Sequence, residues 1–320
     1  MTRRLWFFAA AAALLLGAGP VASQPYPTKS VHILVPASPG GGLDIIARLL
    51  SNELTRSLGQ NFIVENRISS VATADAVAKA APDGHTLLFS VASYLVNGIL
   101  QKDLPYDPLR DLVPVSLVGS TPIIICAQAS LPAKTLAELV ALAKQKPGTL
   151  NFGSGGIGSP LHLAGELFKQ DAKVDIVHIA YKGTAPAALA LVAGEVQLSF
   201  PSVISLYPHI KAGKVRVLAV MSTHRSSTLP EVPTTAEAGM PGLTAEIWYG
   251  LLASKNTPRP IAEQLQRAVV KALGAKEVRE RLLRDDVEPI GSSPDEFAKF
   301  EAAEFAKWSR VIRAANIKAE

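Results

Sequence analysis

The sequence predicts an α/β protein of two lobes, each a wound, mainly parallel sheet flanked by helices. Short apolar runs of strand length alternate with runs that carry apolar residues at helical spacing, as in Val31–Pro36 followed by Asp44–Leu58. Two strand–glycine loop–helix units, one starting near residue 31 and one near residue 150, lie far apart in the chain. This alternation is typical of sheets wound from βαβ units.

The amino-terminal segment has the pattern of a cleaved signal peptide, residues 1–23. Arg3 and Arg4 precede an apolar run that is followed by small residues. The run is shorter than the roughly 20 residues that span a bilayer, which argues against a membrane anchor. We therefore expect cleavage after Ser23 and export of the remaining chain to the periplasm.

The order of the elements predicts the two lobes. Residues 24–122 and 247–320 are expected to form lobe 1, with strands at 31–36, 62–66 and 86–90 and helices at 44–58, 73–81, 261–273, 276–284 and 294–314. Residues 123–246 are expected to form lobe 2, with strands at 150–153, 175–180, 196–200 and 215–220 and helices at 135–145, 161–170 and 185–193. Crossover strands at 113–128 and 246–253 predict a hinge, and ligands of such folds bind between the lobes at the carboxyl ends of the strands.

The composition argues against several classes of protein. Without Arg3 and Arg4 the chain has 30 basic and 27 acidic residues, which are scattered, so nucleic-acid binding has little support. The single cysteine, Cys126, allows no intrachain disulfide. The six histidines are dispersed without metal-ligand spacing, so neither a metal site nor a cofactor is predicted. We expect a monomer.

The first glycine loop is a candidate anion site. Its three glycines leave backbone N–H groups uncovered next to a helix amino terminus. It lacks the Lys-Ser or Lys-Thr of a P-loop and the spacing of a dinucleotide fingerprint, and a tight turn without a ligand is the alternative. Asp44 is predicted to cap the helix, with a carboxylate that could accept a hydrogen bond from a ligand. The candidate contacts are Pro39, Gly40, Gly41, Gly42, Leu43 and Asp44.

The second glycine loop follows a strand in the same way. Ser159 fits a helix N-cap and Pro160 the first helical position, whereas Phe152 excludes the glycine that a hydrolase nucleophile elbow needs before Ser154. Hydroxyl and N–H groups here can donate to a carboxylate, with a plain turn as the alternative. The candidate contacts are Ser154, Gly155, Gly156, Ile157, Gly158 and Ser159, with His162 in the next helical turn and Tyr181 after the next strand.

Ordered sequence blocks resemble one known family. The segments "YPTKSVHILVPASPGGGLDIIARLL", "VENR", "AAPDGHTLLF", "LNFGSGGIGSPLHLAGELF", "VHIAYKGTAPAALALVAGEVQLSF" and "LPEVPTTAEAGMPGL" are similar to those of the tripartite tricarboxylate transporter solute receptors, also called Bug receptors. The resemblance implies a type II-like periplasmic binding protein fold with a hinged cleft. It also implies a small organic carboxylate as ligand, held largely by backbone groups, and the membrane subunits of a transporter as partners.

The chain departs from the family pattern at three places near the cleft. Leu43 stands where a threonine is usual, residues 68–73 replace a Pro-Gly-Ala-Gly-Gly-Asn segment, and Pro201 and Ser202 replace Asp-Asn. Pro201 and Ser202 are therefore candidate ligand contacts. The changes predict a bulkier and less polar cleft, in which a monocarboxylate or aromatic acid becomes a candidate ligand.

The sequence leaves two competing functions open. A receptor that senses its ligand without transport would have the same cleft. An exported enzyme acting on a carboxylate would need a nucleophile and a base in contact, and the sequence alone assembles no such pair, so no catalytic residue is predicted.

Overall fold

The computed structural model describes residues 26–318, so the predicted signal peptide at 1–23 lies outside the described residues. One sheet has six strands in the order β11-β4-β10-β3-β1-β2. They are β1 Val31–Val35, β2 Phe62–Asn66, β3 Thr86–Ser90, β4 Leu112–Pro122, β10 Glu246–Ser254 and β11 Glu288–Pro289. Its helices are α1 Gly42–Leu58, α2 Ser70–Ala78, α3 Ser93–Leu100, α8 Arg259–Gly274, α9 Lys276–Arg284 and α10 Pro294–Ala314.

The other sheet has five strands in the order β7-β6-β8-β5-β9. They are β5 Ile124–Gln128, β6 Asn151–Ser154, β7 Val177–Ala180, β8 Leu198–Ser199 and β9 Val215–Val220. Its helices are α4 Leu136–Gln145, α5 Pro160–Ala172, α6 Thr184–Ala193 and α7 Val203–Lys211. The two sheets are thus built from separate stretches of chain, and the lobe boundaries predicted above stay a prediction.

Both sheets are mixed, which corrects the expectation of mainly parallel sheets. Strands β1, β2 and β3 pair in parallel, as do β6, β7 and β8, because each is joined to the next through a helix. Strands β4 and β10 pair with each other over nine residue pairs and are antiparallel, and β5 is antiparallel to both of its neighbours. The chain leaves one sheet along β4 and returns along β10, and this reversal of direction makes the pair antiparallel.

Local signals explain several element boundaries. Helix α1 ends at Gly59, which takes the left-handed conformation that favours glycine, and α10 begins with a capping box between Ser293 and Glu296. Helix α2 begins at Ser70 rather than at the predicted 73, because the Ser69 hydroxyl accepts a hydrogen bond from the Ala72 N–H group. Helix α3 was not predicted, and the predicted long strand at 113–128 is divided at Ile123 between the two sheets.

Helices α3 and α10 connect the two halves of the molecule. A buried apolar cluster runs from Tyr94 and Trp248 on one side to Phe152 and Phe168 on the other. The Gln170 side chain on α5 donates to the Val311 carbonyl of α10 at 3.0 Å. The sheets therefore share a continuous core beside the hinge rather than meeting only through the crossing strands.

Candidate ligand-binding cleft

The first glycine loop lies at the carboxyl edge of β1. Gly40, Gly41 and Gly42 are exposed, and Gly40 has φ +80°, a conformation that favours glycine. Gly41 is the N-cap of α1, and it provides no side chain to satisfy the first N–H groups of the helix. Since first-turn N–H groups have no acceptor within the helix, they are available to an anion from outside.

Asp44 does not cap the helix, which corrects the sequence-based expectation. It is buried in the first turn, where its carboxylate accepts hydrogen bonds from the Gly40 N–H group at 2.8 Å and Asn66 Nδ2 at 2.9 Å. Arg48 Nε lies 3.0 Å from the same carboxylate. Burial opposes ionisation, but the hydrogen bonds from Arg48, Gly40 and Asn66 outweigh it and lower the pKa of Asp44. The carboxylate thus shapes the glycine loop.

Three helix amino termini meet at this edge of the sheet. Helices α1, α2 and α3 follow β1, β2 and β3, which are adjacent and parallel. The Ser70 hydroxyl of α2 lies 3.1 Å from the Ser93 hydroxyl of α3, which ties the two helix ends together. Partial positive charge at each end makes the edge favourable for an anion.

The second glycine loop lies at the carboxyl edge of β6. Ser159 caps α5 by accepting from the His162 N–H group at 3.3 Å, with Pro160 in the first turn, so both predicted positions are confirmed. Ser154 is completely buried, and its Oγ lies 2.6 Å from His178 Nε2 and 3.1 Å from the Gly156 N–H nitrogen. Its hydroxyl therefore organises the loop from below.

His162 and His178 form a stacked pair beneath this loop. Nδ1 of His162 accepts from the Gly158 N–H group at 3.1 Å, so its ring proton is on Nε2. Burial, followed by the charge of His178 and then of Lys169, lowers the pKa of His162 to about 3. Burial and then Lys169 lower the pKa of His178 to about 4. Both rings are thus neutral at physiological pH.

The remaining predicted contacts lie at the same edge as the second loop. The Tyr181 N–H group donates to the Ser154 carbonyl at 2.9 Å, and the Tyr181 hydroxyl lies 3.4 Å from Glu195. Pro201 and Ser202 are buried after β8, where the Pro201 carbonyl accepts from Ile124 and the Ser202 hydroxyl lies 2.8 Å from that of Ser205. Ser202 is the N-cap residue of α7, but its hydroxyl makes no capping hydrogen bond to the helix.

Helix α3, which begins at the strand edge that carries the first glycine loop, contacts the second glycine loop. A Cβ atom added at Gly158 would lie 2.7 Å from Leu100 Cδ1 and 3.4 Å from Val96 Cγ1. The second loop therefore rests directly on the helix that follows β3. The sequence analysis did not predict helix α3, although Tyr94, Leu95 and Val96 form an apolar run after β3. It also missed His178, because its contact with Ser154 depends on the pairing of β6 with β7.

Two other kinds of site were sought in the described part of the chain, a metal site and a membrane-spanning helix. Among residues 26–318 no three histidine, cysteine, aspartate or glutamate side chains are grouped to hold a metal ion. No helix within these residues has the length and apolar character needed to cross a membrane. A surface cavity of about 390 Å³ between α3 and α10 contains none of the predicted contacts.

Two α/β lobes joined by crossing strands, with glycine loops at the strand ends, define a periplasmic binding protein fold. Comparisons with known proteins agree. The family model described as tripartite tricarboxylate transporter family receptor matches residues 46–317. The chain belongs to this family.

Named relatives support the assignment. The chain is 38% identical to protein BugT of Bordetella pertussis over 305 residues, 94% of each chain. It is similar to the R. palustris protein Rpa4515 solved with adipate, at 34% identity and a TM-score of 0.84, covering 92% of this chain and 99% of that one. It is also similar to MatC from Rhodopseudomonas palustris with bound malate, at 33% identity and a TM-score of 0.80, covering 90% of this chain and all of that one.

Proposed function

We propose that this protein is a periplasmic receptor that captures a small carboxylate between its two glycine loops and delivers it to a tripartite tricarboxylate-type membrane transporter. The observation that carries the proposal is the exposed, side-chain-free amino terminus of α1 at Gly40–Gly42. Neighbours of 34% and 33% identity are solved with adipate and malate, both carboxylates. The same class of ligand suits the N–H donors of this loop.

Binding is expected to close the cleft. A carboxylate that contacts both loops has a higher affinity for the closed form than for the open form, so it shifts the population toward closure. Hinge closure about crossing strands is a common response of two-lobed proteins. The closed form, acting as a monomer, would then dock on the membrane subunits.

The test is a binding screen on the protein expressed with its own amino terminus and purified from the periplasm. Thermal unfolding is followed against aliphatic and aromatic carboxylates, and a ligand at 100 times its Kd stabilises the fold by about 2.7 kcal/mol. A higher Tm with at least one acid is the expected result. Recovery of the protein only in the cytoplasm, or no shift with any acid, would contradict the proposal.

A hydrolase is the competing function, and the contact of Ser154 Oγ with His178 Nε2 favours it. The sequence analysis found no nucleophile and base in contact, and this serine and histidine are such a pair. Ser154 is completely buried, however, and its hydroxyl also donates a hydrogen bond to the Gly156 carbonyl, so a substrate has no access to it. We expect no turnover of nitrophenyl esters or of the bound acid, and turnover lost in Ser154→Ala would establish the enzyme instead.

Sensing without transport would use the same cleft. Deletion of the membrane subunits distinguishes it from delivery. Uptake of labelled ligand that requires both this protein and those subunits supports delivery, whereas a ligand response that persists without them supports sensing.

A further inference from the structure

We infer that Ser154, His162 and His178 are positioning residues that hold the second glycine loop in the conformation that binds the carboxylate. The inference deepens the proposed function and rests on it. It follows from the hydrogen bonds that some backbone N–H groups of this loop make and that others do not.

Two N–H groups of the loop are bound to buried side chains beneath it. The Gly156 N–H group donates to Ser154 Oγ and the Gly158 N–H group donates to His162 Nδ1, each at 3.1 Å. Ser154 is completely buried and His162 is 4% exposed, so both acceptors are shielded from competing water. The loop is therefore anchored from below at two positions, Gly156 and Gly158.

The N–H groups of Gly155 and Ile157 alternate with the two anchored groups. Neither has an acceptor among residues 26–318, and both residues are half-buried. An N–H group without an acceptor is unfavourable, and a carboxylate oxygen can satisfy it. Under the proposed function these two groups donate to the ligand, and the neighbouring anchors set where they lie.

His178 connects the two anchors. Its Nε2 lies 2.6 Å from Ser154 Oγ, and its ring stacks on that of His162 with the centroids 3.8 Å apart. The ring of Phe152 on β6 packs against both imidazoles, with its centroid 4.9 Å from that of His178 and 6.4 Å from that of His162. A change at His178 therefore reaches both Ser154 and His162, and through them the loop backbone.

This support is expected to raise the affinity for the ligand. A loop that already has its binding conformation loses less conformational freedom when the ligand binds. Hydrogen bonds from the layer beneath a site also keep its donors in the geometry that binding needs. The three side chains thus act through the loop backbone rather than by contact with the ligand.

Calorimetric titration of the protein purified from the periplasm tests the inference, with adipate, malate, hexanoate and benzoate as probes. The acid that binds the wild type most tightly is then titrated against each variant. Ser154→Ala removes the acceptor for the Gly156 N–H group and should weaken binding at least about tenfold.

Ser116→Ala is the matched control. Ser116 on β4 is also completely buried, and its hydroxyl donates to the Ser292 carbonyl at 2.9 Å. The two variants therefore each lose one buried serine hydroxyl, and thermal unfolding should show a similar loss of stability in both. Only Ser154→Ala should lose affinity.

The two histidines provide a test that ring packing alone would not pass. The amide group of asparagine lies about where histidine has Nδ1, and that of glutamine about where it has Nε2. His162 contacts the loop through Nδ1, whereas His178 contacts Ser154 through Nε2. We therefore expect His162→Asn to bind at least about fivefold more tightly than His162→Gln, and His178→Gln at least about fivefold more tightly than His178→Asn.

Several outcomes would overturn the inference and leave the proposed function intact. They are wild-type affinity in Ser154→Ala, an equal loss of affinity in Ser116→Ala, and no reversal of the order of asparagine and glutamine between the two histidines. If Ser154→Ala does not fold, the histidine variants decide the question. If none of the four acids binds the wild type, the proposed function and the inference both fail.

Discussion

The imidazole rings of His162 and His178 are stacked face to face, with centroids 3.8 Å apart and an interplanar angle of 16°. The pair lies under the second glycine loop and holds it from two sides. His162 accepts from the Gly158 N–H group, and His178 contacts the Ser154 hydroxyl. Protonation of either ring would place a charge in a stack that is buried at His162 and half-buried at His178, and would disturb the loop.

This pair predicts acid sensitivity of the fold. Folding lowers the histidine pKa values from about 6.5 to about 3 and about 4, so the unfolded chain binds more protons below pH 6.5. The contribution of the two histidines to the free energy of unfolding is complete above pH 6.5 and is lost as pH falls toward 4, on the order of 3 kcal/mol for each ring. Urea unfolding at pH 7 and pH 4.5 should show a smaller loss in His178→Asn than in the wild type.

The exposed His224 supplies the control for this experiment. His224→Asn should retain the full acid-induced loss of stability. An unchanged loss in His178→Asn would mean that the stacked pair does not govern the acid response.

A second buried group, Glu301, predicts the opposite pH dependence, a loss of stability as pH rises. Glu301 on α10 accepts a hydrogen bond from the Tyr94 hydroxyl of α3, and burial raises the pKa of Glu301 to about 8 although this hydrogen bond opposes the shift. The folded state therefore binds more protons between pH 4.5 and pH 8, and its stability falls as pH rises through that range.

Glu301→Gln should remove this dependence. Between pH 5.5 and pH 8.5 the wild type should lose on the order of 3 kcal/mol more than the variant, measured by urea unfolding. Glu277→Gln, on the exposed face of α9, should behave as the wild type. Equal slopes for Glu301→Gln and the wild type would show that Glu301 does not titrate in this range.

Asp44 is predicted to stabilise the folded protein. Asp44→Ala removes the acceptor for Gly40 and Asn66 and leaves Arg48 without its buried partner, so the free energy of unfolding at pH 7 should fall by about 2 kcal/mol. The lowered pKa means that this contribution is present above the ordinary aspartate pKa and is lost at lower pH. An equally stable variant would show that the glycine loop forms without the carboxylate.

Gly41 is predicted to matter for binding and not for folding. Its φ of −75° is open to any residue, and an added Cβ would meet only the Ser38 carbonyl at 3.4 Å. Gly41→Val should therefore keep its Tm within about 2 °C but weaken carboxylate binding at least about tenfold, because the side chain covers the N–H donors. Gly274→Ala, which has open space around it, should change neither property. Unchanged affinity in Gly41→Val would place the ligand elsewhere.

The sequence by itself determined the features that depend on neighbours a few residues apart. The turn at Gly40–Gly42, the stop at Gly59 and the Ser159 cap each follow from one or two residues with a local hydrogen bond or dihedral requirement. The order of strands and helices follows from local apolar periodicity in the same way. These signals were sufficient to predict two glycine loops at the ends of two strands.

The tertiary structure alone decided what depends on partners distant in the chain. Asp44 on α1 binds Asn66 at the end of β2, His178 reaches Ser154 through the register of β6 and β7, and α3 contacts the second glycine loop where Gly158 lies against Leu100. The antiparallel strands at the hinge likewise reflect the return of the chain after more than 120 residues, from Pro122 to Glu246. Such contacts are selected by the packing of the whole chain, and no local pattern encodes them.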